Sequence, residues 1–138
     1  MNSAERRGAE MVEHVPDADA IFLAIGGGGM ASGVAAYVSE VRPDVKVFLV
    51  EPEGKGLSDY LNKGGLTTEK DVVDTIADGI RVLRVGENCY PILKRTSADK
   101  IITVTDKEIR EALKLLWTRA KKVVLILCGG NVDLDFVP

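Results

Sequence analysis

Cysteine and histidine are nearly missing from this chain: 138 residues hold two cysteines, Cys89 and Cys128, and a single histidine, His14. The first residues, "MNSAERRGAE", contain no apolar signal segment. Together these features predict free thiols in a reducing compartment and a cytoplasmic protein. His14 stands just before Pro16 at an expected helix end and reads as a solvated cap rather than a catalytic base. There is no excess of positive charge. A net charge of −3 argues against nucleic acid or an anionic membrane as a general partner, so the expected ligand is small. No Gly-Lys-Ser or Gly-Lys-Thr follows the glycine run, which excludes a Walker-type loop. Repeats, low-complexity tracts and composition shifts are also missing, and residues 1–138 read as one domain. Residues 20–39 carry no charge over a length that could span a membrane. Four central glycines and a change of apolar period at Gly26 make this run a strand followed by a helix.

Four short, nearly continuous apolar segments are present: "AIFLAI" (20–25), "KVFLVE" (46–51), "KIITVT" (100–105) and "KVVLILC" (122–128). Such runs resemble strands covered on both faces. Helix-period stretches separate them. "MASGVAAYVSEV" follows the glycines, and "DKEIREALKLLWTRA" places Ile109, Ala112, Leu113, Leu116 and Ala120 on one face. Thr105 and Glu108 have capping-box spacing at its start. Further helices are expected at residues 3–14, near 58–63 and around Pro91 to Lys94, with turns at "EGKG" and "NKGG". The alternation predicts an α/β fold: an open, mainly parallel sheet of about four strands with flanking helices, three-layered and Rossmann-like.

In such sheets ligands sit beyond the carboxyl ends of the strands. Gly26 to Gly29 and Gly129-Gly130 would share that rim. A glycine loop between a strand and a helix offers several backbone N–H groups and the positive end of the helix dipole to an anion, so Gly26, Gly27, Gly28 and Gly29 read as a phosphate cradle. Alanine at Gly27 and Gly28 is expected to obstruct the anion while leaving the fold largely intact. Gly26, Gly28 and Ala31 also fit the dinucleotide pattern G-x-G-x-x-A, with Glu51 where a ribose-binding acid would stand. The loop alone leaves both readings open.

Other segments separate them. "GGGGMASGVAAYV", "VEPEG", "TIADGIRV", "ITVTDKEI" and "CGGNVDL" occur in the order in which fold-type II pyridoxal-phosphate enzymes carry similar segments, and the chain resembles the serine/threonine dehydratases and serine racemases over nearly its whole length. The resemblance implies pyridoxal 5′-phosphate as cofactor. It also implies that Gly26, Gly27, Gly28, Gly29 and the Met30 backbone hold its phosphate, that Gly79 lies beside its ring, and that Cys128 faces the pyridine nitrogen. A neutral partner there moderates the electron sink. Some relatives place a divalent cation at the acid matching Glu51, but the residues after it do not supply further ligands, and no metal site is expected.

Parts of the family pattern have no counterpart here. None of the ten lysines stands in the Ser-x-Lys-x-Arg-type setting that attaches the cofactor and moves the substrate α-proton. Lys46, Lys100, Lys121 and Lys122 precede strands at the opposite rim. The small domain is not represented, and after "LLWTRAK" the chain runs directly into "KVVLILCGGN", without the glutamate segment and helix of the relatives. The expectation is a truncated or minimal cofactor-domain relative, catalytically impaired alone. In complete relatives the reaction is elimination from L-serine or L-threonine, or racemisation of serine. The alternatives are a non-catalytic, self-associating interaction module and a dinucleotide binder. An apolar sheet lacking part of its cover predicts a homo-oligomer or pairing with a full-length relative.

Overall fold

Side-chain alternation along three strands decides how the sheet is layered. The computed structural model describes residues 3–63 and 72–119. In these, β1 (Ala20–Ala24), β2 (Lys46–Pro52) and β3 (Ile101–Val104) form a parallel sheet in the order β1-β2-β3. Parallel neighbours require crossovers, and helices supply them. Helix α2 (Gly29–Val41) connects β1 to β2, while α3 (Leu57–Lys63) and α4 (Tyr90–Ser97) lie between β2 and β3 in the chain. Helix α1 (Ser3–His14) precedes the sheet. The uncharged run at 20–39 is therefore a strand and most of a helix, and no described helix is long and apolar enough to cross a membrane.

Odd-numbered residues of β1 and β2 supply most of the sheet's part of the core. Leu23, Val47, Leu49 and Glu51 are buried, with Ile25 just past β1, and α2 and α4 meet this face with Val34, Val38 and Leu93. The even-numbered face is apolar but open: Phe22 is 60% exposed, and Ile102 and Ala24 are also exposed. Parallel register sets Phe22 opposite Phe48, and their rings stack with centroids 5.0 Å apart. The expected strand at 122–128 lies outside the described residues.

Two turns fix the ends of α2. Its C-terminus is held where Arg42 donates to the Pro16 carbonyl (2.7 Å) and to the Asp44 carboxylate (2.7 Å), tying the turn before β1 to the turn before β2. Residues 72–82 fold back on themselves, with a short antiparallel bridge between Val72 and Val82 that encloses a single 3-10 turn at Asp78–Ile80. The Asp106 carboxylate accepts from the Thr75 hydroxyl (2.6 Å) and the Ile76 amide (3.1 Å), which anchors the approach to that turn.

The chain divides into two compact units, Met1–Asp106 and Lys107–Pro138. The described part of the second continues helix α5 (Asp106–Arg119), which starts directly after Thr105, the expected cap. Leu113, Leu115 and Leu116 on it are each about half exposed.

Helices α1 and α2 pack through small residues. A Cβ at Gly33 would lie 2.3 Å from Ala4 Cβ, and one at Gly8 would lie 3.2 Å from Tyr37 Cβ. Backbone contacts this close have no slack for a methyl group. Gly33→Ala should therefore destabilise the chain by about 1–3 kcal/mol through overpacking, despite the better helix propensity of alanine. A fall in the urea midpoint at unchanged slope is the expected reading.

Candidate anion-binding site

Past β1, the chain must turn from extended to helical within four residues. Gly28 makes the turn at φ +88°, a left-handed conformation that a residue with a Cβ adopts only with strain. A Cβ there would also lie 2.8 Å from Val85 Cγ1 and 3.2 Å from both Cys89 Cβ and Leu93 Cδ1. Gly28 is thus required by the fold twice over. Gly27 and Gly29 differ: a Cβ at either would meet nothing within 4 Å.

The carbonyls of this loop are all engaged. Gly26 O accepts from Lys55 Nζ (3.1 Å), Gly27 O from the Gly86 amide (3.0 Å), Gly28 O from the Ser32 amide (2.8 Å), and Gly29 O from the Ser32 hydroxyl (3.1 Å). Because a trans peptide is planar, the amide that follows each carbonyl points away from the group holding it. The amides of Gly27, Gly28, Gly29 and Met30 are oriented in this way, and with those of Gly26 and Ala31 they have no acceptor among the described residues. Six unpartnered N–H groups at the start of a thirteen-residue helix, beside glycines open on their Cβ side, fit the oxygens of a phosphate monoester.

Gly79 joins this cluster. Its carbonyl oxygen lies 3.2 Å from where a Gly26 Cβ would be, and its own Cβ position is open to at least 4 Å. The structure thus brings together Gly26, Gly27, Gly28, Gly29, Met30 and Gly79. Cys128 lies outside the described residues.

Two expectations need correction. Glu51 is not available to a ribose: it is 1% exposed, accepting from the Leu57 amide through Oε2 (2.7 Å) and from the Thr103 hydroxyl through Oε1 (3.0 Å). It starts helix α3 and ties β2 to β3. The second concerns the paired alanines at Gly27 and Gly28, whose effect would not be confined to the anion, because a methyl group at Gly28 meets a left-handed backbone and lies 2.8 Å from Val85 Cγ1.

Lys55 and Gly86 are site residues that sequence reasoning missed. Lys55 is 1% exposed; besides Gly26 O, its Nζ donates to Val82 O. Burial pushes its pKa below the ordinary lysine value, while the negative charge of Glu51 acts in the opposite sense. A lysine between two glycines reads as an exposed turn, and only the positive φ required at Gly54 (+88°) and Gly56 (+69°) could have hinted at an unusual backbone course. Lys46 and Lys100 lie at the opposite rim as expected, Lys100 bonded to Asp99 (2.8 Å). Among the described residues no group of three His, Cys, Asp or Glu side chains gathers as a metal site would require.

The chain is similar to known proteins over most of its length. The chain is 35% identical to serine racemase from Bos taurus over 153 aligned positions, covering 91% of this chain and 45% of the relative. Since 91% of 138 residues is about 126, about 27 of the 153 positions have no residue here, so the relative carries extra residues inside the matched span. A pyridoxal 5′-phosphate-dependent aspartate racemase has a similar structure, with TM-score 0.80 and 33% identity over 98% of this chain and 50% of that one. A threonine deaminase from T.th. is also similar, with TM-score 0.75 and 35% identity, covering 88% of this chain and 45% of that one. The chain spans about half the length of such relatives. The profile described as "Pyridoxal-phosphate dependent enzyme" matches residues 2–133, and the chain belongs to that family, in its fold-type II branch.

Proposed function

We propose that this chain is a phosphate-cradling portion of the cofactor domain of an enzyme acting on a small amino acid, of the serine racemase and threonine deaminase kind, with pyridoxal 5′-phosphate as its cofactor. The observation carrying this reading is the set of unpartnered amides from Gly26 to Ala31, held by bonds to the carbonyls behind them. The residues fit the group: the open Cβ sides of Gly27 and Gly29 leave room for phosphate oxygens, and Gly79 leaves a flat approach nearby. Bound there, the cofactor supplies an electron sink for chemistry at the substrate α-carbon. This chain's contribution is to bind and orient. The amides receive the phosphate, the α2 dipole favours its charge, and the Gly28 turn fixes both against α4. L-serine and L-threonine are the substrates proposed for the complete catalytic assembly. A cytoplasmic location is part of the same reading, resting on the low cysteine content.

Titration with pyridoxal phosphate, followed at its aldehyde absorbance and with NAD as comparison ligand, tests the cradle. Gly27→Ala and Gly29→Ala should each weaken pyridoxal phosphate or inorganic phosphate binding by about tenfold or more while the urea midpoint stays near that of the parent. Gly28→Ala should instead lower stability by about 2–4 kcal/mol, from the left-handed backbone and the Val85 overlap together. Equal affinity in the parent and the Gly27 and Gly29 variants would place the anion elsewhere. Tight NAD binding with none of pyridoxal phosphate would favour the dinucleotide reading.

Assayed as an isolated polypeptide, residues 1–138 should not release pyruvate from serine or 2-oxobutanoate from threonine faster than free pyridoxal phosphate does. No lysine here stands in the family's attachment setting, and losing a covalent nucleophile removes the mechanism itself. Release that depends on one particular lysine of this chain would overturn the expectation.

A second reading, self-association, is favoured by the open even-numbered sheet face carrying Phe22, Ala24 and Ile102. We infer that a second copy of the chain covers this face, as large apolar patches on water-exposed surfaces are seldom left bare. Sedimentation equilibrium at micromolar concentration should give a dimer or larger species that Phe22→Glu dissociates. A strictly monomeric parent would exclude it.

A further inference from the structure

An ammonium removed from water is costly unless its donors and its charge both find partners, and a leucine or methionine would fill the same space without that cost. What the ammonium adds at Lys55 is direction. Its two acceptors, Gly26 O and Val82 O, belong to segments far apart in sequence. Gly26 begins the glycine loop, and Val82 leads to Gly86, whose amide holds Gly27 O. Lys55 and Gly86 therefore join the same two segments at successive peptides. The backbone around Lys55 is shaped for this inward course. Its amide donates to Pro52 O (3.2 Å), closing a tight turn flanked by Gly54 and Gly56 in left-handed conformations. The buried Glu51 nearby contributes negative charge that favours the ammonium form.

We propose that Lys55 is a positioning residue whose ammonium straps the Gly26 carbonyl to the Val82 carbonyl and thereby sets the orientation of the amides that receive a phosphate. The link is the planarity of the Gly26–Gly27 peptide: holding its oxygen fixes the direction of the Gly27 N–H. Without the strap, that peptide can rotate about its flanking bonds, and the first amide of the cradle loses its aim. This role rests on the reading of Gly26 to Ala31 as a phosphate site, but the strap itself is a property of the unliganded chain.

Two measurements on the whole chain separate these levels: hydrogen exchange of the Gly86 amide without ligand, and affinity for pyridoxal phosphate. Lys55→Met should lower both Gly86 protection and affinity by about tenfold or more, as expected for losing bonds from a charged donor, with the thermal midpoint unchanged or raised. Lys55→Ala should behave alike and regain protection saturably with added propylammonium but not with tetramethylammonium, which has no N–H to donate. If Lys55→Met does not fold, the alanine variant and its rescue decide the matter. Parent-like Gly86 protection in the variants overturns the strap, as does a loss spread evenly over all sheet amides, which would mark Lys55 as ordinary core. A parent that binds neither pyridoxal phosphate nor inorganic phosphate would defeat the phosphate reading, while Gly86 protection would still judge Lys55.

Discussion

The planarity of four successive peptides is the constraint on which this site depends. The Gly26 and Gly27 carbonyls are held by Lys55 and Gly86, those of Gly28 and Gly29 by Ser32 within α2, and each following amide is thereby directed the other way. No side chain of the loop takes part, which is why the loop consists of glycine. A Cβ at Gly28 would displace Val85, Cys89 and Leu93, so the turn and the packing of α4 against it require the same missing atom. Orphan amides at a helix start are ordinarily satisfied by a capping side chain or water. Here the N-cap residue is Gly28, which has no side chain to offer, and the donors remain for a ligand.

Local signals made much of the fold legible. Helix α1 has the predicted bounds, α2 and α3 each begin one residue earlier than expected, and of the three described strands β1 and β3 fall within the expected apolar segments while β2 runs one residue further, to Pro52. Helix α4 runs on to Ser97, well beyond Lys94, because Pro91 is well placed in a first turn and the residues after it supply Leu93 and Ser97 to the interior. The glycine turn between β1 and α2 could be read from four identical residues at a strand–helix junction. Less legible were effects that depend on what comes near in space. Glu51 at a strand end looks the same whether it awaits a ribose or starts a helix, and only the position of Leu57 and Thr103 decides. Lys55 in a glycine turn looks solvated until the fold places two carbonyls around it.

Glu51 and Lys55 together explain why the segment after β2 is more than a connection. Two opposite charges lie four residues apart, both 1% exposed, one bonded to an amide and a hydroxyl and the other to two carbonyls. Burying either alone would leave an uncompensated charge in the interior. Glu51 organises the helix that follows it, and Lys55 organises the loop that precedes it in the chain by nearly thirty residues. The segment supports the site from behind and leaves its ligand-facing side to backbone.

Every group that shapes the cradle, from Gly26 to Gly86, falls within the unit Met1–Asp106. The chain spans 45% of its serine racemase relative, yet the donors that hold the carbonyls of the glycine loop all lie within it. This separates two properties that a whole enzyme combines. A phosphate remote from the reacting carbon contributes binding energy that positions the reactive part of a cofactor, whereas proton transfer and covalent attachment need side chains at the reacting atoms. Backbone amides fixed by a strap, a turn and a helix can provide the first without any of the second. An anchor built from peptide groups also tolerates wide change in the chemistry performed above it, because no residue of the anchor is consumed or protonated in the reaction.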